Sequence, residues 1–349
     1  MAEKDKPFVA SGEEMIKMRA ARKQLKCTPA IDVGVGGGIT RGGIVVIGGK
    51  SGLGKTTLAL QYAANAQDLF DAKVFFFPVE GRFNDKTFKQ IRDIKLGRDH
   101  FEVIAPPPII RDDEIVGHKK WNANQWWTAI GDTIIENPGC VIIVDSISTL
   151  TSEREQAEGM GYQGRGDLQK ADAQFCRLYG DIVVPNGAIV FLLTQVQANT
   201  SGYGPPIQIK LSNSLYHQAD LILQGKAAEK WKVGENGRIM GHDMVYTCIK
   251  NAGANPYNDI KVPLRFGYGI DVPKDIIDHC VLFDIIQKDG AWYKLPFLSQ
   301  DDDKLVIDST FDPKKKYVKA QGEENVRIWV LQHPEAYDYL RKRIEELHA

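Results

Sequence analysis

A glycine-rich stretch at residues 48–57, GGKSGLGKTT, has the composition and spacing of a phosphate cradle. Gly49, Gly54, Lys55 and Thr56 fit the pattern G-x-x-x-x-G-K-[ST], in which backbone N–H groups wrap nucleotide phosphates, the lysine neutralises the outer ones and the hydroxyl holds Mg²⁺. Glycine serves here because a side chain would block the approach of backbone to phosphate. The candidate contacts are Gly49, Lys50, Ser51, Gly52, Leu53, Gly54, Lys55, Thr56 and Thr57, and the implied cofactors are ATP and Mg²⁺. Three further side chains suit the same chemistry. Asp145 ends the apolar run Val141-Ile142-Ile143-Val144 and can accept from Mg²⁺ waters and Thr56. Glu80 follows Phe75-Phe76-Phe77-Pro78-Val79, where a carboxylate can orient the water that attacks the γ-phosphate. Gln195 closes the strand pattern Ile189 to Thr194 and can reach the γ-phosphate from there.

Those residues need strands to deliver them to one edge. Ile44 to Ile47 reads as a strand feeding the glycine loop, and Leu58-Ala59-Leu60-Gln61-Tyr62 opens the helix after it. Lys73 to Pro78 is too apolar on both faces to be anything but a buried central strand. Helical patterns at 84–93, 126–136 and 167–184 alternate with strand patterns at 102–105, 141–145 and 189–194. The alternation predicts an α/β fold with a parallel-dominated central sheet covered on both faces. Residues 13–26 predict a short N-terminal amphipathic helix with Met15, Met18 and Leu25 on one side, suited either to its own core or to a neighbouring subunit. Pro106-Pro107-Pro108 reads as a rigid connector. Residues 244–249 and 262–266 look like edge strands, with the parallel pattern stopping at Gly267-Tyr268-Gly269. Beyond it lies a small α+β region: a helix over 274–282, strands near 283–287 and 291–295, an acidic turn Asp301-Asp302-Asp303 and two closing helices. The expected division is 1–27, a core over 28–269, and a C-terminal domain over 270–349.

The chain has 349 residues, 43% of them hydrophobic, enough for one large core and a small satellite. Lys+Arg 44 against Asp+Glu 45 leaves a net charge of -1, so nucleic-acid contacts must come from local patches. Five cysteines without a C-x-x-C pair argue against a disulfide framework and a zinc site. The longest apolar run, Ala188 to Leu193, is too short to span a bilayer, so an intracellular soluble protein without a membrane partner is expected.

Two segments break the regular pattern and are expected to be long loops at the same sheet edge as the phosphate loop. The first, 153–166, carries Met160, Tyr162 and Arg165; the second, 196–212, carries Asn199, Gly202, Tyr203, Pro205, Pro206 and Lys210. The helix between them presents Lys170 and Arg177 on one face. Asn213 follows the second loop.

Leu264-Arg265-Phe266-Gly267-Tyr268-Gly269-Ile270, then Lys288-Asp289-Gly290-Ala291-Trp292-Tyr293, then His333-Pro334-Glu335 resemble the carboxy-terminal third of the RecA recombinase family, and of its bacteriophage members. With Asp145-Ser146 and Phe191 to Gln195, the likeness runs from about Thr28 to the end. The resemblance implies a RecA-like ATPase core that polymerises on single-stranded DNA and exchanges strands with a homologous duplex. By position it makes Lys55, Thr56, Glu80, Asp145 and Gln195 the catalytic set, and Lys250 a lysine that reaches the neighbour's ATP site. It makes the two loops DNA-binding, through Met160, Tyr162, Arg165, Lys170, Arg177, Asn199, Gly202, Tyr203, Lys210 and Asn213, and the N-terminal helix a polymerisation element. The implied partners are single- and double-stranded DNA, further copies in a helical filament, and single-strand-binding and mediator proteins, in a bacterial or phage-infected cytoplasm.

The departures are Ala252 where the family has a second lysine, Tyr216-His217 in place of Lys-Phe, and Gly81 in place of histidine. A short N-terminal segment and an ending without the acidic tail of cellular members suggest a phage-type member. Two other readings share the phosphate loop: a hexameric helicase or translocase of the DnaB type, and a nucleotide-switched filament or clock-like ATPase with no DNA role.

Overall fold

The computed structural model describes residues 10–81, 85–111, 114–162, 166–199, 205–226, 229–233, 238–256, 259–295 and 318–347. The chain opens with α1 (Gly12–Ala20), β1 (Gln24–Leu25), α2 (Pro29–Gly34) and β2 (Ile39–Thr40). The first helix is shorter than its pattern predicts. Leu25 leaves it to pair with Ile39 in a two-residue ladder, where it is fully buried, so strand pairing captures the residue that helical periodicity assigns to α1.

The phosphate-loop unit follows as β3 (Gly43–Gly48) and α3 (Lys55–Phe70), then β4 (Val74–Phe77), α4 (Asp85–Gln90) and β5 (Phe101–Val103). Every residue of β3 and β4 is buried. Alternate side chains of β3 enter different cores: Val45 and Ile47 meet α3, while Ile44 and Val46 face the opposite layer. That is the pattern of a strand covered on both sides.

Pro108, expected within a rigid connector, instead opens β6 (Pro108–Arg111), which pairs with β7 (Glu114–His118) in an antiparallel hairpin braced at its base by the Lys119 N–H on the Pro107 carbonyl. Next come α5 (Ala123–Glu136) and β8 (Val141–Asp145). Asn122 and Gln125 make a reciprocal capping box at the start of α5, worth about 1 kcal/mol for the cap. Trp126, Trp127, Ile130 and Ile134 of α5 fill the second core layer.

The segment over 153–162, expected as irregular loop, holds α6 (Glu153–Glu158), closed by a capping box between Ser152 and Glu155. The signal was in the sequence: Ser-x-x-Glu satisfies two helix-end N–H groups at once. Then come α7 (Asp167–Asn186) and β9 (Ile189–Thr194). Trp127 stacks on Phe175 of α7 at 4.4 Å and donates its indole N–H to Asp172 at 3.0 Å. The second expected loop is likewise structured, by β10 (Val196–Ala198) and β11 (Ile207–Ile209), paired antiparallel, before α8 (Asn213–Gln218).

β12 (Leu221–Gly225), β13 (Glu229–Val233), β14 (Arg238–Asn251), β15 (Asp259–Arg265) and β16 (Gly269–Ile270) complete a ten-stranded sheet of order β16-β15-β14-β12-β3-β9-β8-β4-β5, with β13 on β14. From β12 to β5 all pairings are parallel. The parallel pattern ends at β12, earlier than the turn at Gly267, because β14 runs antiparallel to it. β14 is no edge strand: it pairs with β12, β13 and β15 and buries Met244, Tyr246 and Cys248.

The remainder is α9 (Val272–Leu282), β17 (Gln287–Asp289), β18 (Trp292–Leu295), β19 (Val318–Gln321), α10 (Glu323–Gln332) and α11 (Pro334–Leu347). Phe283 to Ile286, expected as strand, instead end α9 and lead to β17, and β19 adds a third strand that the pattern did not show. These elements bury their own cluster, including Ile276, Ile277, Tyr293, Val326, Val330 and Leu340. The acidic turn Asp301 to Asp303 lies outside the described residues.

Candidate nucleotide site and loop face

Strand order gathers the chemistry at the carboxyl ends of β3, β9, β8 and β4. Gly48 ends β3, and Lys55 begins α3 after a left-handed Gly54 with φ 90°. A Cβ at Gly54 would strike the Met244 side chain as well as strain the backbone, so only glycine closes this loop onto β14. β4 and β8 are neighbours, with Phe77 opposite Val144, so the residues after them arrive side by side. The Glu80 N–H donates to the Asp145 carbonyl at 3.0 Å.

The Thr56 hydroxyl donates to Asp145 Oδ2 at 2.7 Å, joining the phosphate loop to the end of β8. Burial pushes the Asp145 carboxyl above its ordinary range and the nearby Glu80 adds to the rise, while the Thr56 hydrogen bond and Lys55 oppose it. The Lys55 ammonium donates to the carbonyls of Gly49 and Lys50, both at 3.0 Å. Its pKa is lowered by burial, against the pull of Asp145 and Glu80. Ser146 donates its hydroxyl to Glu80 Oε1 at 2.6 Å, and Ser148 Oγ lies 2.6 Å from Ser146 Oγ. Gln195 is exposed at the end of β9, between the strands that carry Lys55 and Asp145.

A cleft of about 460 Å³ joins Gly52, Gly54, Lys55, Thr56, Glu80, Asp145 and Gln195 in one wall. Its far wall was not assigned from sequence: His242, Leu264 and Phe266, contributed by β14 and the end of β15. His242 is buried, burial lowers its pKa, and its ring lies 5.6 Å from that of Phe266. Leu264 and Phe266 belong to the stretch that carried the family likeness, but nothing in their spacing points to a cleft. They reach it because β12 sits beside β3 and brings β14 and β15 after it. The residues fit a nucleoside triphosphate and its Mg²⁺: a glycine cradle too tight for a Cβ, an ammonium parked on loop carbonyls, and a hydroxyl–carboxylate pair at the loop's end.

The loop residues divide. Met160 is fully exposed, and Tyr162 donates its hydroxyl to Asp167 at 2.5 Å. Lys170 pairs with Asp167 at 3.2 Å, and Arg177 is exposed on the same helix. Asn199 braces the β10–β11 hairpin through the Pro205 carbonyl, and Asn213 is exposed at the start of α8. Lys210 reaches back to donate to the Ser148 carbonyl at 2.7 Å, and the Thr194 hydroxyl donates to the Lys210 carbonyl at 2.6 Å. Arg165, Gly202 and Tyr203 lie outside the described residues. Lys250 is away from the cleft of its own chain: its ammonium donates to the carbonyls of Tyr216 and His217 at the end of α8.

A family model described as "ATPase: KaiC" matches residues 26–163, the stretch that holds the phosphate loop, Glu80 and Asp145. The RecA protein of Methylococcus capsulatus is 25% identical over 320 residues, covering 91% of this chain and 81% of that protein. The RecA protein of Campylobacter jejuni subsp. doylei is 27% identical over 319 residues, covering 90% and 81%. That of Nitratiruptor is 26% identical over 318 residues, with the same coverage of 90% and 81%. An alignment of that length runs far past residues 26–163, through the antiparallel strands and into the C-terminal elements.

The chain is an ATPase with a RecA-like core, similar to RecA proteins along nine tenths of its length. The ATPase match spans the phosphate loop and the two strands, β4 and β8, after which Glu80 and Asp145 stand. Among the described residues no helix is long and apolar enough to cross a membrane.

Proposed function

We propose that this RecA-like ATPase assembles as a helical filament on single-stranded DNA and catalyses homologous pairing and strand exchange. The observation that carries this reading is the RecA likeness over 320 residues, joined to the position of the two loop segments, one after β8 and the short turn that follows it, the other right after β9, at the strand ends near Asp145 and Gln195. DNA held by those segments would then act on the hydrolytic residues through the shortest covalent path.

In this reading Lys55 and the loop N–H groups bind the outer phosphates, and Thr56 with Asp145 holds Mg²⁺, which supplies charge neutralisation at the phosphates. Glu80, fixed through Oε1 by Ser146, orients the attacking water with its other oxygen. Gln195 reports the state of the γ-phosphate to the β10–β11 segment. Lys250 enters a neighbour's site after leaving the α8 carbonyls, with Ala252 unable to assist it. The core over 28–269 does this work, and the segment at 270–349 forms a small domain of its own.

The test is electron microscopy and ATP turnover, each with and without single-stranded DNA. Filaments on DNA with DNA-stimulated hydrolysis are expected. Turnover unaffected by DNA, with filaments formed on nucleotide alone, would favour the nucleotide-switched filament that the match at 26–163 also allows. The Lys250 role is tested by mixing Lys55→Ala with Lys250→Ala. Each is inactive alone, and random co-assembly restores about a quarter of the interfaces if the site is shared between copies.

A further inference from the structure

The cleft has two walls, and sheet order fixes which end of a nucleotide each receives. Glu80, Asp145 and Gln195 stand at the ends of β4, β8 and β9, on one side of β3, while β12, β14 and β15 lie on the other. A triphosphate seated on Lys55 and Thr56, with its outer phosphate toward Glu80 and Gln195, therefore lays its base toward His242, Leu264 and Phe266. Of those three side chains, only that of His242 can form hydrogen bonds.

His242 faces the phosphate loop. It shares a face of β14 with Met244, two residues on, and Met244 is the side chain that a Cβ at Gly54 would strike. The imidazole is 6% exposed and engages the Leu53 backbone in a hydrogen bond, yet its Nε2 has no partner among the described residues. Burial lowers its pKa, against the pull of Asp243 and of that hydrogen bond, so the ring is neutral at pH 7. A neutral imidazole that donates through one nitrogen is an acceptor at the other. Buried acceptors are seldom left empty, because the hydrogen bond they made to water is then lost without replacement. The Phe266 ring lies against this one edge to face, with 5.6 Å between centroids, and is itself 52% exposed, so little packing holds it in place.

We propose that His242 selects the base: with the Phe266 ring turned aside, Nε2 accepts a hydrogen bond from the 6-amino group of adenine. A 6-oxopurine brings an acceptor to the same place and is rejected, since two acceptors cannot satisfy each other. The inference rests on the cleft being the ATP site and is independent of DNA and of filament formation.

The experiment is titration calorimetry of the full chain with Mg²⁺ and three ligands: the non-hydrolysable β,γ-imido analogues of ATP and GTP, and inorganic triphosphate, which has no base. Wild-type protein is expected to bind the ATP analogue roughly tenfold more tightly than the GTP analogue, or better. His242→Leu is expected to bind the two analogues alike, by losing affinity for the ATP analogue, with inorganic triphosphate binding unchanged. His242→Gln, whose amide oxygen can accept, is expected to keep a preference for the ATP analogue. In turnover, His242→Leu is expected to raise KM for ATP and leave kcat in place. A His242→Leu protein that keeps the wild-type preference overturns the inference, as does wild-type protein that binds the two analogues alike. Equal weakening of all three ligands also overturns it, because His242 would then hold the phosphate loop without reading the base. Wild-type protein that binds neither analogue overturns the ATP reading of the cleft as well.

Discussion

The nucleotide cleft and the loop face share the same strand ends but are held in different ways. In the cleft, Thr56, Asp145, Ser146 and Glu80 form a connected set of short hydrogen bonds at the ends of buried strands. On the loop face, Lys170 pairs with Asp167 and Lys210 with the Ser148 carbonyl, while Met160, Arg177 and Asn213 stand in solvent. Catalytic groups must keep their geometry before substrate arrives, whereas groups that hold a polyanion can gain their order from it. The contrast therefore predicts sharp effects of single substitutions in the cleft and graded, salt-dependent effects on the loops.

The largest effects are expected from Lys55→Ala and Glu80→Gln. Lys55→Ala should abolish nucleotide binding and turnover together. Glu80→Gln should keep binding but lower kcat by about 10²- to 10⁴-fold, since only water orientation is lost. Binding by a fluorescent nucleotide beside steady-state turnover separates the two, and a Glu80→Gln protein with normal kcat would break the comparison at its first term.

Removing residues 196–212 should eliminate single-stranded DNA binding while leaving nucleotide binding in place. Arg177→Ala and Lys210→Ala should each weaken DNA affinity and lower the salt dependence by about 0.7 in log–log slope per lost phosphate contact. Anisotropy titrations at several salt concentrations measure this. Affinity indifferent to salt and to the deletion would remove the loop face from the DNA site.

A smaller effect is expected from Ser146→Ala. It deletes the donor on Glu80 Oε1 and nothing that touches phosphate, so kcat should fall about tenfold, the worth of one hydrogen bond to a charged group, with KM for ATP unchanged.

The smallest effect concerns the joint between the core and the C-terminal elements. Burial raises Asp32 to about 7, opposed chiefly by the Cys27 N–H. Burial likewise raises Asp275 to about 7, opposed chiefly by the Ala30 N–H. A carboxyl whose folded pKa lies above the unfolded value near 3.9 stabilises the fold fully below that value, and the contribution is lost as pH rises through the folded one. Denaturant midpoints should therefore fall between about pH 4 and pH 7, and Asp32→Asn with Asp275→Asn should flatten that slope. A midpoint that rises over the same window would show these carboxyls ionised in the fold.

Most of the cleft was legible in the chain because its parts are local. A glycine loop between an apolar strand and a helix, and carboxylates at the ends of Val141 to Val144 and Phe75 to Val79, declare themselves through spacing and period alone. The capping box at Ser152 is equally local, but the glycine content of the same segment reads as loop and masks α6. Leu25 escapes the pattern for the opposite reason: its period is helical, but a strand partner at Ile39, farther along the chain, captures it.

What sequence by itself determined was the phosphate-loop pattern, the parallel core that carries it, and the likeness to RecA proteins. What only the tertiary structure decided was adjacency. The sheet order that puts β12 beside β3 brings His242, Leu264 and Phe266 to the cleft, and the path that folds residues 108–118 into an exposed hairpin leaves four apolar side chains in water. Side-chain period reports which face of an element is buried, but not which distant element covers it, because burial is the same free energy whichever partner supplies the surface.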